Sequence, residues 1–380
     1  MKEIISIVLG NDHKNPLGVI QSLGQVGIKS IAICWGKKTG LLKSSKYTRA
    51  VYFADNAEHC IDIILSKKFE TKYKTIVITP CSDEAAIVLD RYRKILPKAF
   101  RFQYSDDYSI EELCDKELQA RLARMSGLDV PETYKIFQIS DIPSNPPYPC
   151  IVKPLISMKG SKNDLRICSN YEELMKNLIE ILPHNQGILL QRYIVKDCEY
   201  LVECCGLEDG NCVSPVIIKN EMDRLYPKEV GLSSLHEVYP FEDEQLKSKI
   251  SKLMKLMAYT GLVSVEFAKS AIDGKWYFFE FNVRNDGYNP CCTKSGVNIN
   301  YLHFCDLAKL PYKLCKANHK TIISEVRHLQ TLKNRYISIY EWYRDIRNAD
   351  GFTWYYCNDR KPFIFMIIHL FIEKIQCAFR

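Results

Sequence analysis

The chain has 380 residues, 47% of them hydrophobic, which is enough for two or three domains with cores of their own. Its net charge of +7 is mild for this length, and the basic residues are scattered. No dense Lys/Arg block follows a nucleic acid, so no nucleic-acid partner is expected and anionic small molecules are the better guess.

Sixteen cysteines occur without a single C-x-x-C spacing, and most, such as Cys34, Cys150 and Cys168, fall in apolar strand-like runs. They read as buried thiols of a reducing cytoplasm, not as a disulfide or zinc framework. Met1-Lys2-Glu3 and the short apolar run up to Gly10 read as a first strand, not as a signal peptide.

Residues 1–105 alternate strand and helix signals. Ile4–Leu9, Ser30–Trp35, Ala50–Ala54 and Thr75–Thr79 are β-rich, and the stretches at Val19–Val26, Ile61–Leu65 and Ala85–Ile95 have helical spacing. This is the pattern of a parallel, doubly wound sheet. Gly10, Gly18, Gly24 and Gly27 do not form G-x-G-x-x-G, which removes most support for a dinucleotide dehydrogenase. A helix from Asp115 should stop at Gly127 ahead of Pro131, and the Pro/Ser-rich stretch 140–149 marks a boundary. Residues 106–205 read as a linker helix and a small α+β lobe, 206–316 as a larger lobe, and 317–380 as an aromatic and basic extension.

Lys153 closes the apolar strand Cys150–Pro154, where a lysine can deliver a compact charge to a phosphate; its bland alternative is snorkelling to solvent. Ser157-Met158-Lys159-Gly160-Ser161-Lys162 follows as a small, basic loop of the kind that folds over phosphates, although a single glycine makes the signal weak. Lys116 sits after an acidic turn. Ile188–Ile194 reads as a strand running into a short linker, with Glu199 just beyond.

The most informative stretch is Tyr277-Phe278-Phe279-Glu280-Phe281-Asn282-Val283-Arg284, preceded by Val263-Ser264-Val265-Glu266-Phe267. In a strand, Glu280 and Asn282 share one face while Phe279, Phe281 and Val283 point into a core. A three-residue loop, Ile272-Asp273-Gly274, with Gly274 left-handed would set Glu266 opposite Glu280. Facing carboxylates repel, so the register makes sense chiefly with cations between them, and magnesium carrying nucleotide phosphates suits such oxygen donors. A solvated acidic hairpin is the alternative.

Taken in order, Asp115-Lys116, Gly127, Pro131, Ile151–Pro154, Gln191-Arg192-Tyr193-Ile194, Glu199, Glu266, Glu280-x-Asn282-x-Arg284 and Ser295–Asn298 resemble the ATP-grasp superfamily. The likeness is to its carboxylate–amine ligase branch, which includes D-aspartate ligase and relatives of the carbamoyl-phosphate synthase large subunit. It implies an α/β and α+β architecture, with an N-terminal Rossmann-like domain and two α+β lobes enclosing ATP. It further implies that Lys116, Lys153 and the loop residues Ser157, Lys159, Gly160 and Ser161 hold phosphates. Gln191, Tyr193 and Ile194 would form the adenine hinge and Glu199 would bind ribose.

Under the same resemblance, Glu266, Glu280 and Asn282 would hold Mg²⁺, two ions with Mn²⁺ as an alternative, and Arg284 would meet the transferred phosphoryl group. Lys219 and Arg224 lie where related ligases carry basic residues at the reacting centre. The implied reaction activates a carboxylate with ATP and joins it to an amine, with an envelope precursor, a polysaccharide or another small metabolite as acceptor. A nucleotide-binding module without catalysis is the competing reading, and a homodimer is an open expectation. His236 reads as a structural histidine. The tail run Phe363–Ile372 is far short of the ~20 residues that span a bilayer. Such a run either docks on the body or lies in a membrane interface; being apolar on nearly all sides, it favours a peripheral membrane contact outside the catalytic core.

Overall fold

In the computed structural model, which describes residues 3–154, 165–227 and 232–378, the N-terminal part alternates strand and helix as its apolar runs predict. In order it comprises β1 (Glu3–Asn11), α1 (Lys14–Gly24), β2 (Ser30–Trp35), α2 (Leu41–Ser44), β3 (Thr48–Phe53), α3 (Ala57–Ser66), β4 (Tyr73–Pro80), α4 (Asp83–Arg91) and β5 (Phe100–Arg101). The five strands form one parallel sheet, β3-β2-β1-β4-β5. β1 is central, so both of its faces are covered: Ile5, Ile7 and Leu9 pack with α3 and α4, and Val8 packs with α1.

The chain then passes through β6 (Tyr104–Ser105), α5 (Ile110–Leu113) and α6 (Lys116–Ser126). Asp115 caps α6 by accepting from the Leu118 amide at 2.8 Å, and the helix ends at Gly127, φ +90°. The small lobe is built from β7 (Thr133–Ile136), β8 (Cys150–Pro154), β9 (Arg166–Cys168), α7 (Tyr171–Ile181) and β10 (Ile188–Arg192). Its antiparallel sheet, β7-β10-β8-β9, packs Val152 and Leu190 against Leu174 and Leu178 of α7.

The rest begins with β11 (Lys196–Gly206), β12 (Cys212–Asn220), β13 (Leu225–Tyr226), β14 (Leu232–Ser233), β15 (Leu235–Pro240) and α8 (Glu244–Leu256). It continues with β16 (Tyr259–Ser270), β17 (Trp276–Asn282), α9 (Asn289–Ser295), α10 (Ile299–Ala308), β18 (Lys320–Ile323), α11 (Glu325–Lys333), α12 (Ile339–Asn348), β19 (Gly351–Phe352) and α13 (Lys361–Ala378). The large sheet runs β17-β16-β11-β12-β15-β18-β19, with β6 on β16.

One face of this sheet buries Val202, Val265, Phe267, Phe278 and Phe281 against α6 and α8. Each such side chain contributes about 1.5–3 kcal/mol of burial. The other face carries Leu201, Ile218 and Leu262 against α9 and α10, and it turns polar toward β17. α10 lies between the two sheets, giving Leu302 to this core and Phe304 and Leu307 to the N-terminal one.

Sheet membership changes between Arg192 and Lys196, ahead of the boundary expected at 205, because β11 pairs with β16 nearly from end to end. β18 and β19, from the stretch read as an extension, belong to the large sheet. The described cysteines are free thiols and most are buried.

The tail is docked at its start. Asp359 accepts from Gln21 Nε2 (3.1 Å), Ser45 Oγ (2.6 Å) and the Lys46 amide (3.1 Å), and Met366 is buried. Phe365 packs into the N-terminal core. Ile364 and Ile368, each 53% exposed, face outward. No helix among the described residues is long and apolar enough to cross a membrane.

Candidate active site

Glu266 on β16 stands directly opposite Glu280 on β17, and Ser264 opposite Asn282, which is the pairing expected of the acidic strand. The route to it differs from the expected three-residue turn. Residues 271–274 form a four-residue loop with Gly274 at φ +68°, a value that favours glycine, and the Ser270 amide donates to the Lys275 carbonyl at 3.0 Å. A bulge at Phe279 then shifts the register by one, since Phe267 pairs with Phe278 while Glu266 pairs with Glu280.

The bulge corrects a second expectation. One extra residue inverts the facing of everything on the turn side, so Phe278 joins Phe281 and Val283 in the core. Phe279 is half-buried, with the Lys196 ammonium 5.1 Å from its ring centre.

Asn282 Nδ2 donates to Glu266 Oε1 at 3.1 Å, and Lys116 Nζ lies 3.1 Å from Glu280 Oε2. Burial, and after it the facing Glu280 and then Asp286, push the Glu266 pKa up to about 8. The carboxyl thus holds a proton near neutrality unless a cation takes its place. Among the described residues no three His, Cys, Asp or Glu side chains converge into a complete metal cage. Two carboxylates and an amide suit a hard divalent ion that fills the rest of its shell with phosphate oxygens and water. The donor set fits Mg²⁺.

Cationic groups surround this pair. Lys153, at the end of β8, donates to Gln191 Oε1 at 3.0 Å, and Gln191 Nε2 in turn donates to Thr133 Oγ1 at 2.8 Å. Burial lowers the Lys153 pKa and Lys116 lowers it further, with Glu280 opposing. Arg284 Nε donates to Asp83 Oδ1 at the start of α4 (2.8 Å), and its Nη2 donates to Asn282 Oδ1 (3.2 Å). Burial works against the Arg284 charge, but Asp83 and Asp286 outweigh it and its pKa rises. Arg284 therefore links the N-terminal domain to the acidic strand.

Tyr193, Ile194 and Val195 connect β10 of the small lobe to β11 of the large sheet. The Tyr193 amide donates to the Pro149 carbonyl and the Val195 carbonyl accepts from Ala271, both at 2.8 Å. Ile194, with its side chain buried, makes no backbone–backbone bond among the described residues, leaving an amide and a carbonyl at the junction of the lobes. Gln191 uses its side chain on Lys153, so any hinge role falls to the backbone. Glu199 contacts Lys196 and points to the same sheet face as Glu266.

Two expected residues are not brought to this cluster. Lys219 lies opposite Tyr200, which lies opposite Phe267, so it projects from the helix-covered face, away from Glu266; it pairs with Glu221 at 2.8 Å. The strand register decides this, since Asn220 takes the site-facing position. Arg224 is buried, with Nε on Asp345 Oδ2 of α12 at 2.7 Å and Nη1 on Asp223 Oδ2 at 2.6 Å. Those carboxylates saturate it as a structural ion pair. Ser157, Lys159, Gly160 and Ser161 lie outside the described residues.

Glu203 and Asp286 are site-facing carboxylates that the sequence reading passed over. Both are buried, and burial raises both pKa values, that of Glu203 far more. Glu203 sits two strand turns after Glu199 with the same parity, a signal that alternation along β11 could have supplied. His236 faces the same side, with Nδ1 2.8 Å from Asn220 Oδ1 and its ring edge-on to Tyr288. Burial, then Lys14 and Arg327, lower its pKa to about 3, so it is neutral.

Residues 116–301 match the family described as carbamoyl-phosphate synthase L chain, ATP binding domain. A D-alanine–D-alanine ligase of Thermotoga sp. (strain RQ2) is 26% identical over 191 residues, 48% of this chain; the match spans 60% of that ligase. A D-aspartate ligase of Enterococcus faecium is 20% identical over 339 residues, covering 78% of this chain and 75% of the relative. In fold, the N5-carboxyaminoimidazole synthetase of Staphylococcus aureus, solved in complex with ADP, superimposes with a TM-score of 0.67 at 12% identity, over 88% of this chain and 87% of that one. Matched sequence and shared fold agree: residues 116–301 carry an ATP-grasp domain, and the chain as a whole is similar to ligases of the carboxylate–amine branch.

Proposed function

We propose that this protein is an ATP- and Mg²⁺-dependent ligase that activates a carboxylate as an acyl phosphate and joins it to an amine. The observation that carries the reading is Glu266 facing Glu280 on one polar strand surface, with Lys116, Lys153 and Arg284 converging on it. Lys116 and Lys153 would hold the ATP phosphates, the Ile194 backbone the adenine edge, and Glu199 the ribose hydroxyls. Glu266, Glu280 and Asn282 would hold two Mg²⁺ ions. When bound, these ions neutralise phosphate charge.

The carboxylate oxygen of the substrate attacks the γ-phosphorus and ADP leaves; the amine nitrogen then attacks the acyl carbon and phosphate leaves. Such a transfer needs positioning and charge neutralisation more than a protein nucleophile. Arg284, held by Asp83, would bind the transferred phosphoryl oxygens. The D-aspartate ligase relative favours an amino acid as one substrate and an envelope precursor as the other. Mg²⁺-dependent ADP release from the full chain, screened over amino acids and amines, tests the reading. Nucleotide binding without ADP release under any pair would support the non-catalytic alternative.

The exposed face of Ile364, Ile368 and Ile372, next to Arg360 and Lys361, favours a peripheral membrane contact for the outer side of α13. Co-sedimentation with anionic liposomes that is lost on Ile364→Ser/Ile368→Ser checks it; identical sedimentation would remove it.

A further inference from the structure

A cavity of about 360 Å³ lies where the N-terminal domain, α11 and the docked part of α13 meet. Lys14 and Arg327 line it together with Leu41, Trp354, Phe365 and Met366. Lys14 is the first residue of α1, so the positive end of that helix lies at the cavity as well. The Lys14 ammonium has no hydrogen-bonded or ion-paired partner among the described residues. Its side chain keeps some exposed surface, but protein surrounds it, and that crowding lowers its pKa. Arg327 spends one donor, Nη1, on the Ser233 carbonyl at 3.1 Å. The lining carboxylate, Asp12, is committed to the amides of Gly40 (2.6 Å) and Leu42 (2.9 Å). His13 and His369 also line the cavity.

The cavity is tied to the acidic strand. Asn15, next to Lys14, donates from Nδ2 to the carbonyls of Cys81 (3.0 Å) and Asn285 (3.1 Å), and Asn285 follows Arg284 directly. Asp286 acts electrostatically on both Lys14 and Glu266, so the cavity lies within electrostatic reach of the acidic strand. Glu325 and Asp286 attract Lys14 without bonding it, and Glu325 is spent on the Thr353 hydroxyl and the amides of Trp354 and Tyr355. A crowded cation that no carboxylate bonds is costly unless an anion meets it, and the wall beside it is aromatic and aliphatic.

We propose that this cavity binds the non-nucleotide substrate and selects a small molecule that joins an anionic head group to an apolar body. The anionic head sits on Lys14 and Arg327, and the body lies against Trp354, Phe365 and Met366. The word substrate rests on the ligase reading; the ligand chemistry rests on the cavity alone.

Two dyes probe it with the full chain: 1-anilinonaphthalene-8-sulfonate, an anion on an aromatic body, and N-phenyl-1-naphthylamine, the same body without charge. One saturable sulfonate site per chain is expected. Lys14→Met and Arg327→Met should each weaken it about tenfold or more, the scale of one lost charge-assisted hydrogen bond, while leaving the neutral dye unaffected. Lys14→Arg should restore affinity, and Phe365→Ala should weaken both dyes. Melting curves confirm folding, and if one methionine variant does not fold the other carries the test. Sulfonate affinity unchanged in the folded cation variants overturns the proposal. A Mg-ATP titration of the unsubstituted chain separates the two claims. Dye binding as described without Mg-ATP binding removes the ligase reading and leaves an anion site. Mg-ATP binding with charge-insensitive dye binding removes the cavity assignment alone.

Discussion

Glu266→Gln gives the sharpest test of the acidic pair, because the fold and the proposed function pull that residue in opposite directions. Its pKa rises from 4.5 to about 8 through burial first and the facing Glu280 second. Taken at face value that shift corresponds to about 5 kcal/mol; for a carboxyl with some solvent access, screening brings it to about 1–3 kcal/mol. The sign follows from linkage. A group whose pKa is raised by folding stabilises the fold below its unfolded pKa, and that contribution is lost as pH climbs through the folded value. Glutamine does not titrate, so the variant should melt roughly 1–4 °C above the parent at about pH 8.5 and close to it at about pH 5, in the absence of ligand. The same change should lower Mg-dependent ADP release about a hundredfold or more, the scale of a lost electrostatic contact to transferring phosphate. Differential scanning fluorimetry at both pH values and a coupled ADP assay are sufficient. A variant that melts lower at high pH, or shifts equally at both, refutes the electrostatic account; full ADP release refutes the metal role.

Glu280→Gln should leave the melt within about 1 kcal/mol of the parent, since Glu280 is partly exposed, but abolish ATP turnover; retained turnover would separate Glu280 from the metal. Lys153→Met should raise the Kd for Mg-ATP about tenfold or more by titration calorimetry, with Gln191→Leu giving a smaller rise through loss of the 3.0 Å bond that steadies Lys153. Arg224→Met should cost about 1–3 kcal/mol, since buried Asp345 loses its 2.7 Å bond to Arg224 but keeps Arg344 at 3.3 Å, while ADP release per folded molecule stays unchanged. A folded variant that has lost turnover would return Arg224 to the reacting centre.

Much of the arrangement was readable because β-structure has a strict period. The alternation Glu280-Phe281-Asn282-Val283 fixes which side chains share a face, and repulsion between facing carboxylates selects the register with Glu266. The N-terminal sheet was equally legible, since buried parallel strands are continuous apolar runs. What failed depends on single-residue insertions. The bulge at Phe279 gave the expected pairing by a different path and exchanged Phe279 for Phe278 in the core. Lys219 was placed by its position along the chain, but parity across β11 and β16 puts it on the opposite face. The resemblance to related ligases points Arg224 to the reacting centre, whereas its partner Asp345 lies 121 residues away, beyond any local pattern. The tail read as apolar all round because its docking face cannot be seen without α2 beside it.

The cluster as a whole is unfavourable in both signs when considered without a ligand. Glu266 faces Glu280 and keeps a proton, while Lys153 loses basicity to burial and to Lys116. Mobile side chains on loops would relieve such strain by rotating into water. Here Glu266 and Glu280 are fixed on adjacent strands, backed by Phe267, Phe278 and Phe281, and Lys153 is held by Gln191 and Thr133. Phosphates and divalent cations would relieve both conflicts together, because each supplies the charge that the other half lacks. Tyr193, Ile194 and Val195 join β10 of the small lobe to β11 of the large sheet. In the proposed function the nucleotide and its cations would therefore bind with positive coupling, each lowering the electrostatic cost of the other. The sequence signature of this coupling is a set of polar residues that break the apolar pattern at the ends of well-packed strands, which is where natural folds concentrate function.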